Sequence, residues 1–202
     1  MSLEITREDF LTLEQVTKLK NHCRDRAATG QRNGIRDWAI LHLALDTGLR
    51  VSEICSLKIR DIILEQEHAS LIVRDGKGHK KRGVNVGDPL HQHLLGFIDW
   101  KKKAGQSIGP SASLFISSRG AHALTRTAIY RIFKANACVL GFPSRFSIHS
   151  CRHTYASLLY RASKYNIRLV QKQLGHRSIQ TTQVYADVLS EDAVIAVNKL
   201  PQ

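Results

Sequence analysis

The chain has 202 residues, 43% of them hydrophobic, which suits one domain with a sizeable core and argues against intrinsic disorder. Thirty Lys and Arg against 17 Asp and Glu leave a formal charge of +13, pointing to an anionic partner, of which nucleic acid is the commonest. No apolar run approaches the ~18 residues that span a membrane, and the N-terminus lacks a charged-then-apolar signal pattern. With four cysteines (Cys23, Cys55, Cys138, Cys151) and no C-x-x-C pair, a cytoplasmic protein with reduced thiols is expected.

Residues 13–26 carry helical spacing, with Leu13, Val16 and Leu19 near one face and Thr12 placed to cap the start. Residues 30–34, with a glycine at each end, read as a loop. A richly apolar helix over about 35–46 follows and stops at Thr47-Gly48, where glycine can take the left-handed cap conformation. A short helix then begins near Arg50 or Ser52. From Asp61 the pattern changes to short β-branched runs at 62–64, 69–74 and 82–86, with Asp75-Gly76-Lys77-Gly78 as a hairpin-type turn between the last two. Beyond Asp88-Pro89 helical spacing returns over 90–103, 126–140 and 149–161, with shorter helices over 166–174, 179–186 and 191–200. The expected fold class is α+β, mainly α-helical with a small three-stranded antiparallel β-sheet, in a single domain. Lys101-Lys102-Lys103 reads as a solvated helix end, and Tyr155, Tyr160 and Tyr165 as core packing.

Three segments carry chemistry. His149-Ser150-Cys151-Arg152-His153 places two histidines four apart, a spacing that can hold a metal on one helical face. Arg152 weakens that reading by setting a cation beside the site, and no acidic residue lies between the histidines. Further on come Leu174-Gly175-His176-Arg177-Ser178-Ile179 and Thr181-Thr182-Gln183-Val184-Tyr185. Gly175 can end one helix and Ser178 cap the next, leaving His176 in a tight turn and Tyr185 about two helical turns later. Upstream, Thr47-Gly48-Leu49-Arg50-Val51-Ser52-Glu53 sets Arg50 beside a helix N-terminus, where backbone N–H groups favour an anion.

Together these segments resemble the signature boxes of the tyrosine recombinase, or phage integrase, family: an arginine in T-G-L-R-x-S-E, an H-x-x-R box, an L-G-H segment and a downstream tyrosine. Arg50, His149 with Arg152, His176 and Tyr185 fill those positions, and Lys77 matches the family's lysine on a β-hairpin turn. The boxes keep the family's order from about residue 11 to residue 187. The middle of the H-x-x-R box, Ser150-Cys151, departs from the apolar residue frequent at its second place.

The resemblance implies a site-specific DNA recombinase that cuts through a 3′-phosphotyrosyl intermediate. Arg50 and Arg152 would grip the non-bridging oxygens with paired hydrogen bonds and lower the phenol's pKa. Tyr185 would be the nucleophile, His149 the base, Lys77 the acid for the leaving 5′ oxygen, and His176 a donor to the phosphate or the tyrosine. Glu53 is a supporting carboxylate able to orient a basic group, and His153 a structural or supporting residue. His79, Lys80, Lys81 and Arg82 are expected to contact DNA phosphates. The phosphodiester energy is kept in the covalent bond, so no cofactor, ATP or metal is expected.

The expected partner is double-stranded DNA, with a homotetramer forming on it through the C-terminal segment, residues 188–202, and a monomer when free. That segment can equally fold back on its own domain. The N-terminal helical domain that closes the family's clamp around DNA is expected to be missing. A type IB topoisomerase, a DNA-binding regulator with a vestigial site and a metal-dependent hydrolase built on His149 and His153 are the competing readings.

Overall fold

Helix α1, Leu13–Ala28, opens on a reciprocal cap: Thr12 Oγ1 accepts the Gln15 N–H at 3.1 Å and Gln15 Oε1 accepts the Thr12 N–H at 2.9 Å. The computed structural model describes residues 6–65, 69–74, 81–118, 120 and 122–188. Helix α2 is Arg32–Thr47, so it begins three residues before the sequence pattern suggests, and Arg32, Asn33 and Gly34 are helical rather than loop. The glycine that looks like a turn signal is a packing device, since a Cβ on Gly34 would stand 2.6 Å from the Arg26 carbonyl oxygen. Its absence lets α1 and α2 approach backbone to backbone. Gly48 ends α2 at φ +61°, and a Cβ there would lie 2.5 Å from the Tyr155 ring.

Helix α3, Val51–Ser56, leads into a sheet of β1 (Ile62–Ile63), β2 (Ser70–Arg74) and β3 (Lys81–Asn85), antiparallel in the order β1-β2-β3. Leu71 pairs with Val84, and both are fully buried, so the period-two alternation turns one face of the sheet inward. Five helices complete the described chain: α4 (Asp88–Lys103), α5 (Arg126–Val139), α6 (Ile148–Ala162), α7 (Ile167–Leu174) and α8 (Gln180–Val188). The main core joins Ile40, Leu41 and Leu43 of α2 to Leu90, Leu94 and Phe97 of α4 and Ile129 and Phe133 of α5. A smaller cluster gathers Ala156, Val170, Leu174 and Tyr185, with Phe10 and Tyr155 packed on it. This is the mainly helical α+β fold with one three-stranded antiparallel sheet that the sequence pattern implies.

Two side chains depart from expectation. Lys101 is not solvated but fully buried, its Nζ donating to Gln106 Oε1 at 2.8 Å, and burial pushes its pKa down. Tyr165 is half exposed, in a left-handed turn at φ +65° with its ring edge-on to Tyr160, so it is not core. All four cysteines are free thiols, Cys23 and Cys151 buried. Among the described residues no helix is long and apolar enough to cross a membrane. The turn bearing Lys77, His79 and Lys80, and the tail over 189–202, lie outside the described residues.

Candidate active site

Arg152 is the hub. Its position on the first turns of α6 carries it inward, leaving it 6% exposed. Nη1 donates to the Gly48 carbonyl at 2.5 Å, and Nη2 reaches the Leu174 carbonyl at 3.0 Å and His176 Nε2 at 2.8 Å. The guanidinium therefore ties together the ends of two helices, each closed by a left-handed glycine. Burial, then the charge of Arg50, lowers its pKa to about 10, which still leaves it a cation at neutral pH.

Arginine can only donate, so His176 Nε2 must accept. Its proton then sits on Nδ1, which donates to Thr182 Oγ1 at 2.9 Å at the start of α8. Burial, then the charges of Arg152, Arg50 and Arg82, push the His176 imidazole down to about 4. His93, stacked with His42 against Trp38, is also pushed down to about 4, by burial and then by His42. Both folded values lie below the ordinary 6.5, so the unfolded chain takes up protons first as pH falls. Stability should hold above about pH 6.5 and decline toward pH 4 by about 1 kcal/mol per unit for each histidine. Urea unfolding at a series of pH values will check this, and a flat profile between pH 7 and 5 would contradict it.

Arg50 caps α3 and keeps 42% of its side chain exposed, free to meet a ligand, while its Nη1 rests on Glu53 Oε1 at 3.1 Å. Glu53 is far more enclosed than a surface carboxylate. It accepts the Arg50 backbone N–H at 2.8 Å and a two-pronged contact from Arg82, Nη1 at 2.8 Å and Nη2 at 2.9 Å. Burial pushes the Glu53 carboxyl up, but the hydrogen bonds and charges of Arg82 and Arg50 outweigh it and hold the pKa below 4.5. Arg82, expected as a phosphate contact, thus spends two of its nitrogens on Glu53. Its Nε lies buried against Gly175 with no acceptor among the described residues. Lys81 is exposed at the start of β3. Arg50, Arg82, Arg74, His176 and Arg177 line one open cleft of about 640 Å³, with Ser52 and Thr181.

Tyr185 lies beside this cleft and is 3% exposed. Phe10 meets its ring edge-on at 6.3 Å, and its oxygen is 3.2 Å from Nδ1 of His153. The two arginines lower the phenol's pKa, as expected, but burial is the larger effect and the net shift is upward. His149 is exposed one turn before His153 and opens on a shallow hollow with Val51, Arg126 and Tyr130; burial and then Arg152 lower its pKa. The histidine that meets the phenol is therefore the one to which sequence reasoning gave a supporting part. The available signal was its spacing, four residues after His149 and so one turn further along the same helical face. Among the described residues no group of three or more His, Cys, Asp or Glu could hold a metal.

An open cleft of guanidiniums and imidazole beside a sequestered phenol has the chemistry to hold an anion next to a tyrosine. The phage integrase family profile matches residues 9–192, and the chain belongs to that family, that of the tyrosine recombinases. It is 32% identical over 201 residues to tyrosine recombinase XerC of Caldanaerobacter subterraneus subsp. tengcongensis, covering 98% of this chain and 53% of that protein. The crystal structure of XerA recombinase superposes with a TM-score of 0.77 at 26% identity, over 96% of this chain and 66% of that one. XerH site-specific recombinase bound to difH substrate, in a pre-cleavage complex, gives 0.75 at 25% identity over 92% and 52%. The chain thus spans about half the length of the curated relatives it matches.

Proposed function

We propose that this chain cleaves and rejoins DNA strands in site-specific recombination, with Tyr185 as nucleophile. The observation that carries the reading is electrostatic: the charges of Arg50 and Arg152 both bear on the Tyr185 phenol, while the Arg50 side chain opens into the cationic cleft. A phosphodiester in that cleft would meet guanidinium donors at its non-bridging oxygens, where negative charge grows during attack. The phenol oxygen bonds to phosphorus, the bond to the 5′ oxygen breaks, and a 3′-phosphotyrosine with a free 5′-hydroxyl results. Lys77 supplies the leaving oxygen's proton in this scheme, and His149 is the base, as the family resemblance implies. Lys81, with His79 and Lys80, contributes phosphate contacts. Reversal by another strand's hydroxyl rejoins the DNA, and no step consumes ATP or calls for a metal.

Double-stranded DNA is the substrate, met in the cytoplasm, and the C-terminal segment links protomers into a tetramer on it. XerH, whose complexes contain its difH substrate before and after cleavage, supports the DNA assignment by its likeness over 92% of this chain. The burial of Tyr185 implies that the free chain holds its nucleophile in reserve until DNA engages.

The test is a denaturing gel of the protein mixed, in EDTA, with nicked suicide duplexes covering the DNA that flanks its own gene. A covalent adduct is expected from the wild type and none from Tyr185→Phe. An adduct that survives in Tyr185→Phe would refute Tyr185 as the nucleophile.

A further inference from the structure

Two arginines of the sheet line the cleft, and they are used differently. Arg82, on β3, gives Nη1 and Nη2 to Glu53, so the fork that could hold a phosphate is turned onto a carboxylate. Arg74 ends β2 and keeps 37% of its side chain exposed. Among the described residues its guanidinium is bonded only to Asp61, whose Oδ1 accepts from Nε at 2.6 Å. Asp61 is itself 3% exposed, and its Oδ2 accepts the Lys58 N–H at 3.0 Å. The carboxylate is therefore a fixed anchor, not a mobile surface group. An arginine held through Nε still has Nη1 and Nη2 to give, the planar pair of donors that matches two oxygens of one phosphate.

We propose that Arg74, aimed by Asp61, holds a second backbone phosphate of the DNA, one that flanks the scissile phosphate on the sheet side of the cleft. The inference rests on the DNA-cleaving reading above, in which Arg50 and Arg152 answer the scissile phosphate. The cleft has the room, since about 640 Å³ matches a site for a drug-sized ligand and exceeds what one phosphodiester group fills.

The anchoring also fits this duty. A guanidinium already held by a buried carboxylate loses little side-chain freedom on binding, so more of each hydrogen bond appears as affinity. Because the contact is to the backbone, it sets the position of the strand in the cleft and carries no base sequence. Arg74 thus takes the phosphate-binding part that the sequence pattern gives to Arg82, while Arg82 braces Glu53.

The test is a chemical double-mutant cycle on the nicked duplex that yields the covalent adduct. Single methylphosphonates, each removing one phosphate charge, are placed at the scissile phosphate and at the positions around it, and Kd is read by fluorescence anisotropy. The variant is Asp61→Asn/Arg74→Gln, which keeps the net charge of the protein and leaves no buried carboxylate without its partner. It should bind the unmodified duplex about tenfold more weakly, with a salt slope smaller by about 1. At one flanking position the methylphosphonate should weaken the wild type about tenfold and the variant by less than about twofold. At the scissile phosphate the two proteins should lose alike. Penalties equal in both proteins at every position would overturn the proposal, and so would a penalty that vanishes at the scissile phosphate instead. A second measurement needs no variant: phenylglyoxal labelling of Arg74 in the wild type, read by mass spectrometry, should be suppressed by the duplex and return with one flanking methylphosphonate. Labelling that is equal with and without duplex would likewise overturn the proposal. A wild type that forms no adduct would instead bring down the DNA-cleaving reading on which the inference stands.

Discussion

Arg152→Lys will lower adduct formation by about 10³-fold and destabilise the domain by about 3 kcal/mol. The charge is not what is lost, since Arg152 itself stays cationic at neutral pH with its value held near 10. What is lost is the fork. One ammonium at the end of a flexible stem cannot reach the Gly48 and Leu174 carbonyls and His176 Nε2 together from one buried position. At least one carbonyl is left without a donor inside the protein, which costs ~1–3 kcal/mol. His176 loses the partner that fixes its tautomer, and the turn between α7 and α8, which leads into the helix bearing Tyr185, loses its anchor. Single-turnover cleavage and urea unfolding on the same preparation will measure both effects. A lysine variant that forms adduct within tenfold of wild type would show that charge alone serves the site.

The same residue shows how far the sequence carries. The pattern around Arg50, Arg152, His176 and Tyr185 is legible because a motif fixes residue type at fixed spacing, and helix periodicity places Arg50 and Arg152 near helix starts, His176 in a turn and Tyr185 along the next helix. Gly48 and Gly175 are legible as caps for the same reason, and both adopt positive φ. Gly34 is misread because a glycine serving close helix approach looks like a glycine serving a turn until the neighbouring helix is in place. Lys101 is misread because a run of three lysines suggests solvent, while the helix turns the first of them under the surface to Gln106.

The direction of the Tyr185 shift depends on burial in a cluster with Ala156, Val170 and Leu174, closed in part by Phe10 from the far end of the chain, which no local pattern reveals. Sequence spacing alone, three residues after Arg50, does not say which basic group Glu53 orients. Only the antiparallel pairing that brings β3 beside α3 decides it, by setting Arg82 opposite. That His153 rather than His149 meets the Tyr185 oxygen is likewise set by how α8 packs on α6, which no local pattern reveals.

Gly175→Ala will cost about 3 kcal/mol and disrupt the contact between Arg82 and Glu53, both far away in sequence from the substitution. The glycine has two duties. Its φ of +66° is the left-handed region, where a Cβ costs about 1 kcal/mol or more. A Cβ there would also stand 2.5 Å from Arg82 Nε and 2.6 Å from Cδ, because the guanidinium lies flat against the glycine on its way to Glu53. Arg82 must then move, and its two-pronged hold on Glu53 breaks, leaving a largely enclosed carboxylate with Arg50 alone. That second part should contribute about 2 kcal/mol, consistent with losing one partner of a partly buried ion pair. A double-mutant cycle separates the two duties. In an Arg82→Ala background the alanine should cost only the backbone share, about 1 kcal/mol. An undiminished cost there would mean that backbone strain, not the Arg82–Glu53 pairing, is what the glycine protects.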